Sequence, residues 1–205
     1  MNEIVATLAY PNGSNQILDG IHELIEEFLR FPDKFLTEED VRSYLYNLLL
    51  RHYGQVETTE DGSMSISPHS EVRWYGESGK LKYRSDIVIL DVSSLKTKEK
   101  TMKLPSKGYS FNKFSAIIEI KLRRLNGSSD SSFATAIEKD RKKISDIRAD
   151  LGNTWEDYNS YIIILDKKSE LQFQEKSSGN HKEFYVYSRT HLDATTQNLN
   201  LHSSG

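Results

Sequence analysis

The chain has 205 residues, 37% of them hydrophobic and 28% charged, with a formal net charge of -3 at pH 7. That length and apolar content suffice for one folded core, and the lack of cysteine excludes disulfides, thiolate nucleophiles and cysteine-based zinc or iron–sulfur sites. The slightly acidic balance gives no general attraction to nucleic acid, so any such binding must rest on a local basic patch.

The start, "MNEIVATLAYPNGSNQ", lacks a basic segment followed by an apolar one, and no apolar run approaches the roughly 20 residues of a membrane span. A cytoplasmic protein without membrane contact is therefore expected. "QILDGIHELIEEFLRF" then spaces Ile17, Ile21, Leu24, Ile25, Phe28 and Leu29 as one helical face, and "FPDKF" ends it. In "TEEDVRSYLYNLLLRHYG", Thr37 is a good N-cap, acidic residues fill the first turn, Val41, Leu45 and Leu48 form a stripe, and Gly54 supplies the stop. From Gln55 short polar strands and turns predict a meander of hairpins. "YRSDIVILDV" and "KFSAIIEIKL" are β-branched and apolar on both faces, as central strands covered from both sides should be.

Between those strands lies a Lys-rich stretch, read as a long hairpin or loop. "SSFATAIEKDRKKISDIRADLG" predicts a third helix with Phe133, Ile137, Ile144, Ile147 and Leu151 on one side, "SYIIILD" and "EFYVYS" complete the sheet, and a polar tail begins at Thr190. This order predicts an α/β or α+β layer structure, a mixed central sheet flanked by helices. One domain is expected over residues 1–189, with a helical part at 15–54, a core at 37–166 and a tail at 190–205. "GESGK" is too short for a phosphate-binding loop and reads as a hairpin turn, and the six histidines show no zinc-ligand spacing.

The residues that demand explanation are charges inside strands. Side chains alternate along a strand, so Ile117, Glu119 and Lys121 share one face. Asp86 opens the other apolar strand, and if the two strands pair, its carboxylate and that of Glu119 come close together. Two such carboxylates repel unless a cation lies between them, and hard divalent ions such as Mg²⁺ take oxygen ligands of this kind. A lysine beside that ion can orient a water or stabilise phosphate charge. The plain alternative is a surface ion pair, since E-x-K is common in charged sequences.

"SDIVIL" followed at a distance by "AIIEIK" resembles the D...E-x-K signature of the PD-(D/E)XK nuclease superfamily, which has the restriction-endonuclease-like fold. The proline of the signature is absent, Arg84-Ser85-Asp86 standing there. "TEEDVRSYLYNLLL" is similar to the glutamate-bearing helix that often precedes the sheet in such nucleases, and "IEKDRKKISDI" to the charged helix beside the site. The resemblance implies Asp86 and Glu119 as metal ligands with the Ile120 carbonyl as a third, Lys121 as the group that positions or activates water, and Glu38 completing the site. Glu39 competes with Glu38, Glu71 is an outer-shell candidate, and Asp140 and Lys143 face the active region.

The implied activity is Mg²⁺-dependent hydrolysis of phosphodiester bonds, with Mn²⁺ as substitute and DNA favoured over RNA. Backbone contacts are expected from Lys103, Lys107, Lys113, Arg123 and Arg124, with Lys96, Lys98 and Lys100 in the same stretch and Tyr109, Phe111 and Phe114 for base stacking. A homodimer that cuts both strands is compatible with this reading. The competing reading is a catalytically inactive module of the same fold that binds nucleic acid or a protein partner through a structural ion-pair network.

Overall fold

A computed structural model describes residues 16–75, 80–97, 113–151 and 158–188. Helix α1 (Gln16–Arg30) buries Ile17, Ile21, Leu24 and Phe28. Leu29, expected on that stripe, is 49% exposed, because it lies about 100° round the helix from Phe28. A 3₁₀ turn at Pro32–Lys34 delivers Phe35 against Phe28 and Tyr44. Helix α2 (Glu38–Tyr53) starts with a capping box: Thr37 Oγ1 accepts from the Asp40 amide at 3.1 Å and Asp40 Oδ2 from the Thr37 amide at 2.9 Å. These bonds satisfy two amides that the helix leaves unpaired, and they fix Glu38 as its first residue. Gly54 caps the other end.

Strands β1 (Glu57–Thr58) and β2 (Met64–Ser65) form a small antiparallel pair, and β3 (Pro68–Tyr75) with β4 (Leu81–Leu90) forms a hairpin. The expected meander reduces to these two units. Then follow β5 (Phe114–Arg123), α3 (Asp130–Leu151), β6 (Asn159–Asp166) and β7 (His181–Tyr187). The main sheet runs β3-β4-β5-β6-β7, antiparallel as far as β5 and parallel beyond it, with α3 in the connection between β5 and β6. This is an α+β fold with helices on both faces of a mixed sheet.

Alternation along the strands assigns the faces. Ile87, Ile89, Ile118, Ile120 and Ile163 pack under α1 and α2, while Val88, Ile117, Ile162 and Ile164 pack under α3 with Ile137, Ile144 and Ile147. The feature that positions the site is a split. Pairing of β4 with β5 ends at Ile87 and Ile118, whereas β3 stays paired with β4 through Ser85, Arg84 and Tyr83. β5 meanwhile runs on beside β6 as far as Arg123. The β3–β4 ribbon therefore peels away from β5.

The expectations for Lys98, Lys100, Lys103, Lys107, Tyr109 and Phe111, for the turn at 76–79, for the side chain of Leu151 and for the tail from 190 fall outside the described residues. Among the described residues no helix is long and apolar enough to cross a membrane.

Candidate active site

Where the strands part, two amides of β5 lose their strand partners. The Ile120 amide donates instead to Asp86 Oδ2 at 2.8 Å, and the Leu122 amide to Glu38 Oε1 at 3.3 Å. Each buried amide needs an acceptor, so the split itself calls for carboxylates at these places. The opening is a polar cleft of about 750 Å³ lined by Glu38, Arg42, Glu71, Arg84, Asp86 and Arg124 among others.

Glu119 sits on the α3 face of β5 and is fully buried. Its Oε2 is 2.5 Å from Lys143 Nζ of α3, while its Oε1 is buried without a hydrogen-bond partner. Lys143 also lies 3.1 Å from Asp140 Oδ1. Lys121 Nζ lies 2.9 Å from Asp140 Oδ2 and 3.8 Å from Glu38 Oε2, and donates to the Ile120 carbonyl at 3.2 Å. The contact between Lys121 and Asp140 Oδ2 is a charge contact outside hydrogen-bond geometry, so that oxygen is also orphaned. Carboxylates from α2, β4, β5 and α3 thus meet two ammonium groups at one place.

Burial governs the electrostatics. It pushes the Glu119 carboxyl up to about 8, Lys143 opposing this and Asp86 and Asp140 adding to it. Burial also raises Glu38 above the ordinary carboxylate range, against the pull of Lys121 and the Leu122 amide. Burial disfavours the ammonium of Lys121, but Asp140 and Glu38 outweigh it and hold its pKa above the usual lysine value; Glu119 and Asp140 do the same for Lys143.

On the cleft's other wall the Arg42 guanidinium bonds to Glu71, ion-pairs with Glu39 and reaches Asp86 Oδ1 at 3.2 Å. Arg84 holds the second oxygen of Glu71 at 2.7 Å. Glu71 has φ of 57° in the middle of β3, a left-handed conformation that costs a non-glycine residue about 1 kcal/mol or more. By the register of the flanking pairs it stands opposite Asp86.

The structure brings Glu38, Asp86, Glu119, Lys121, Asp140 and Lys143 together, and places Glu71 beside them. Glu38 reaches Lys121 and Leu122, whereas Glu39 turns to Arg42. Arg124 is exposed on the cleft and Lys113 is exposed at the start of β5. Two expectations are corrected. Arg123 is no backbone-phosphate contact, because its side chain has no exposed surface and is saturated by Asp166, Asp130 and Ser169. Phe114 is no stacking platform, because it packs in the core at 5.2 Å from Trp74 and 4.7 Å from Tyr158. Lys96 lies apart, 3.1 Å from Glu60. Sequence reasoning missed Arg42, although its place four residues after Glu38 puts both on one face of α2.

No family model matches the chain, and neither a curated protein nor a solved structure does. Among the described residues no three His, Asp or Glu side chains stand in a ready-made metal cage. The donor chemistry nevertheless fits a hard divalent cation. The groups are carboxylates and a carbonyl, and the orphaned Glu119 oxygen is a buried acceptor that a positive ligand would satisfy.

Proposed function

We propose that this chain is a metal-dependent nuclease of the PD-(D/E)XK type with a restriction-endonuclease-like core, acting on DNA. The observation that carries the reading is the split between β4 and β5, which gathers Asp86, Glu119, Lys121 and Glu38 from three elements, with Glu38 and Asp86 lining an open polar cleft, and Glu119 buried and Lys121 half-buried behind it.

Asp86 and Glu119 would hold Mg²⁺ or Mn²⁺, with the Ile120 carbonyl beside them; such an ion, when bound, polarises the phosphodiester and lowers the pKa of a water. Lys121 keeps its proton, so its ammonium orients the attacking water and faces the charge that develops on the non-bridging phosphate oxygens. Glu38, more basic than an ordinary glutamate and 3.8 Å from Lys121, takes the proton that the water gives up. The water oxygen bonds to phosphorus, the bond from phosphorus to the leaving sugar oxygen breaks, and that oxygen takes a proton from solvent. Asp140 holds Lys121 in place and Lys143 orients Glu119.

The competing module reading draws on the same ion pairs, since Lys121 and Lys143 already neutralise part of the acidic cluster. The test is cleavage of plasmid and single-stranded DNA with Mg²⁺, with Mn²⁺ and with chelator. Metal-dependent cleavage is expected, falling by at least about a hundredfold in Lys121→Ala. No cleavage of either DNA, with no rise in melting temperature on adding metal, would leave the inactive module as the better account.

A further inference from the structure

Among the described residues of this site, Arg42 alone touches carboxylates of three elements, Glu39 on its own helix, Glu71 on β3 and Asp86 on β4. Its side chain is only 12% exposed, yet it lines the open cleft. It reaches the very carboxylate assigned above to metal, through Oδ1, while Oδ2 is occupied by the Ile120 amide. A divalent cation at Asp86 and the Arg42 guanidinium would therefore compete for one oxygen. Glu71, held in a left-handed conformation between Arg42 and Arg84, offers the guanidinium a second anchor that does not depend on Asp86.

We infer that Arg42 is a tethered counter-cation of Asp86 that cation binding releases from that oxygen, and that the released guanidinium holds a backbone phosphate of the nucleic acid. The inference rests on the nuclease reading of the cleft. It adds a phosphate-holding residue to it and makes metal and nucleic acid bind cooperatively. A guanidinium suits this exchange, because its fork of donors fits carboxylate and phosphate equally well. Glu39 and Glu71 keep it at the cleft wall in both states, so the change is local and needs no movement of α2.

The experiment uses the full chain as wild type, Arg42→Gln and Arg42→Lys. Mn²⁺ affinity is measured by calorimetric titration, and affinity for a hydrolysis-resistant phosphorothioate oligonucleotide is measured with Mn²⁺ and with chelator. Arg42→Gln is expected to bind Mn²⁺ about tenfold more tightly than wild type, since the competing cation is gone. Mn²⁺ is expected to strengthen oligonucleotide binding in the wild type by about tenfold and to do so far less in Arg42→Gln, the signature of coupling through this side chain. Arg42→Lys keeps the charge without the fork and should fall between the two. Unchanged or weaker Mn²⁺ binding in both variants would overturn the inference, and so would an equal gain in oligonucleotide affinity from Mn²⁺ in all three proteins. Failure of the nuclease reading looks different: the wild type would cleave neither plasmid nor single strands while these binding differences persist.

Discussion

Two charged clusters lie on the same face of β5, two to four residues apart, and they are finished in opposite ways. At Arg123 every charge is answered. The guanidinium donates through Nε to Asp166 at 2.9 Å and through Nη2 to both oxygens of Ser169 at 2.9 Å, bonds to Asp130, and lies over the Phe133 ring. Asp166 in turn accepts from the Lys168 amide and from Tyr185, whose hydroxyl burial and Asp166 push up to about 12, so it remains a donor. At Glu119 and Lys121 the partners are as numerous, but two buried carboxylate oxygens are left without a hydrogen bond, and the neighbouring Glu38 and Asp86 line the cleft. Completeness separates them: a saturated network holds the fold, and an unsaturated one has capacity left for a ligand.

The largest effect should come from breaking the saturated cluster. Arg123→Ala strands the buried Asp166 carboxylate, and removing one partner of such a pair costs about 3–5 kcal/mol. For a chain of this length that corresponds to a fall of about 10 °C in melting temperature. The measurement is thermal unfolding beside an oligonucleotide titration in high and low salt. Lower stability with an unchanged salt dependence of binding would confirm the structural role, and the reverse would return Arg123 to the phosphate contacts.

The contrast between the clusters could not be read from residue types, although much else could. Helix α2 carries its cap at Thr37, its stop at Gly54 and its stripe in adjacent residues, so local rules suffice there. The apolar runs around Asp86 and Glu119 reveal two central strands, because burial on both faces leaves no other composition. Asp86, Glu119 and Lys121 stand out as charges that interrupt or abut such runs, whereas Glu38 is singled out only by the resemblance of its helix. What the sequence hides is the fate of Arg123 and Arg42. Arg123 shares the alternation that aims Lys121 at α3, and its burial depends on Asp130, Asp166 and Ser169, which arrive from three later segments. Arg42 meets Glu71 at a left-handed residue of β3 opposite Asp86, and nothing in "HSEVRWY" announces that backbone turn.

The unsaturated cluster should respond to pH, and the sign is fixed. The Glu119 carboxyl titrates near 8 when folded and near 4.5 when unfolded, so between those values the native protein binds more protons than the unfolded chain. Stability therefore falls as pH rises through this window, by up to about 1.4 kcal/mol per pH unit. Glu119→Gln removes the titration and should flatten that slope, leaving the variant relatively more stable toward pH 8. Denaturant unfolding of both proteins in chelator across the window measures it. Parallel profiles would mean that Lys143 keeps Glu119 ionised throughout, and the cluster would then resemble the saturated one more closely than its orphaned oxygens suggest. Saturating Mn²⁺ at the upper end of the window should restore stability to the wild type alone, by about 2.7 kcal/mol at a hundred times its dissociation constant.

The smallest effect sharpens the comparison most, because it concerns adjacent residues. Arg124 follows Arg123 in the chain but lies just past the end of β5, where it is exposed on the cleft. Arg124→Ala should leave the melting temperature within about 1–2 °C of wild type, as surface changes do. It should weaken binding to DNA of any sequence and make the dependence of log affinity on log salt shallower by about one unit, the loss of one phosphate contact. Paired with Arg123→Ala, this gives two neighbouring arginines with crossed phenotypes, one in stability and one in salt dependence. If Arg124→Ala leaves the salt slope unchanged, the cleft loses its exposed phosphate contact, and among the described residues the basic groups lining it reduce to Arg84 and the released Arg42. If both variants lower stability alone, the charges along β5 serve the fold at either end, and the orphaned oxygens of Glu119 and Asp140 would be all that separates this strand from a structural one.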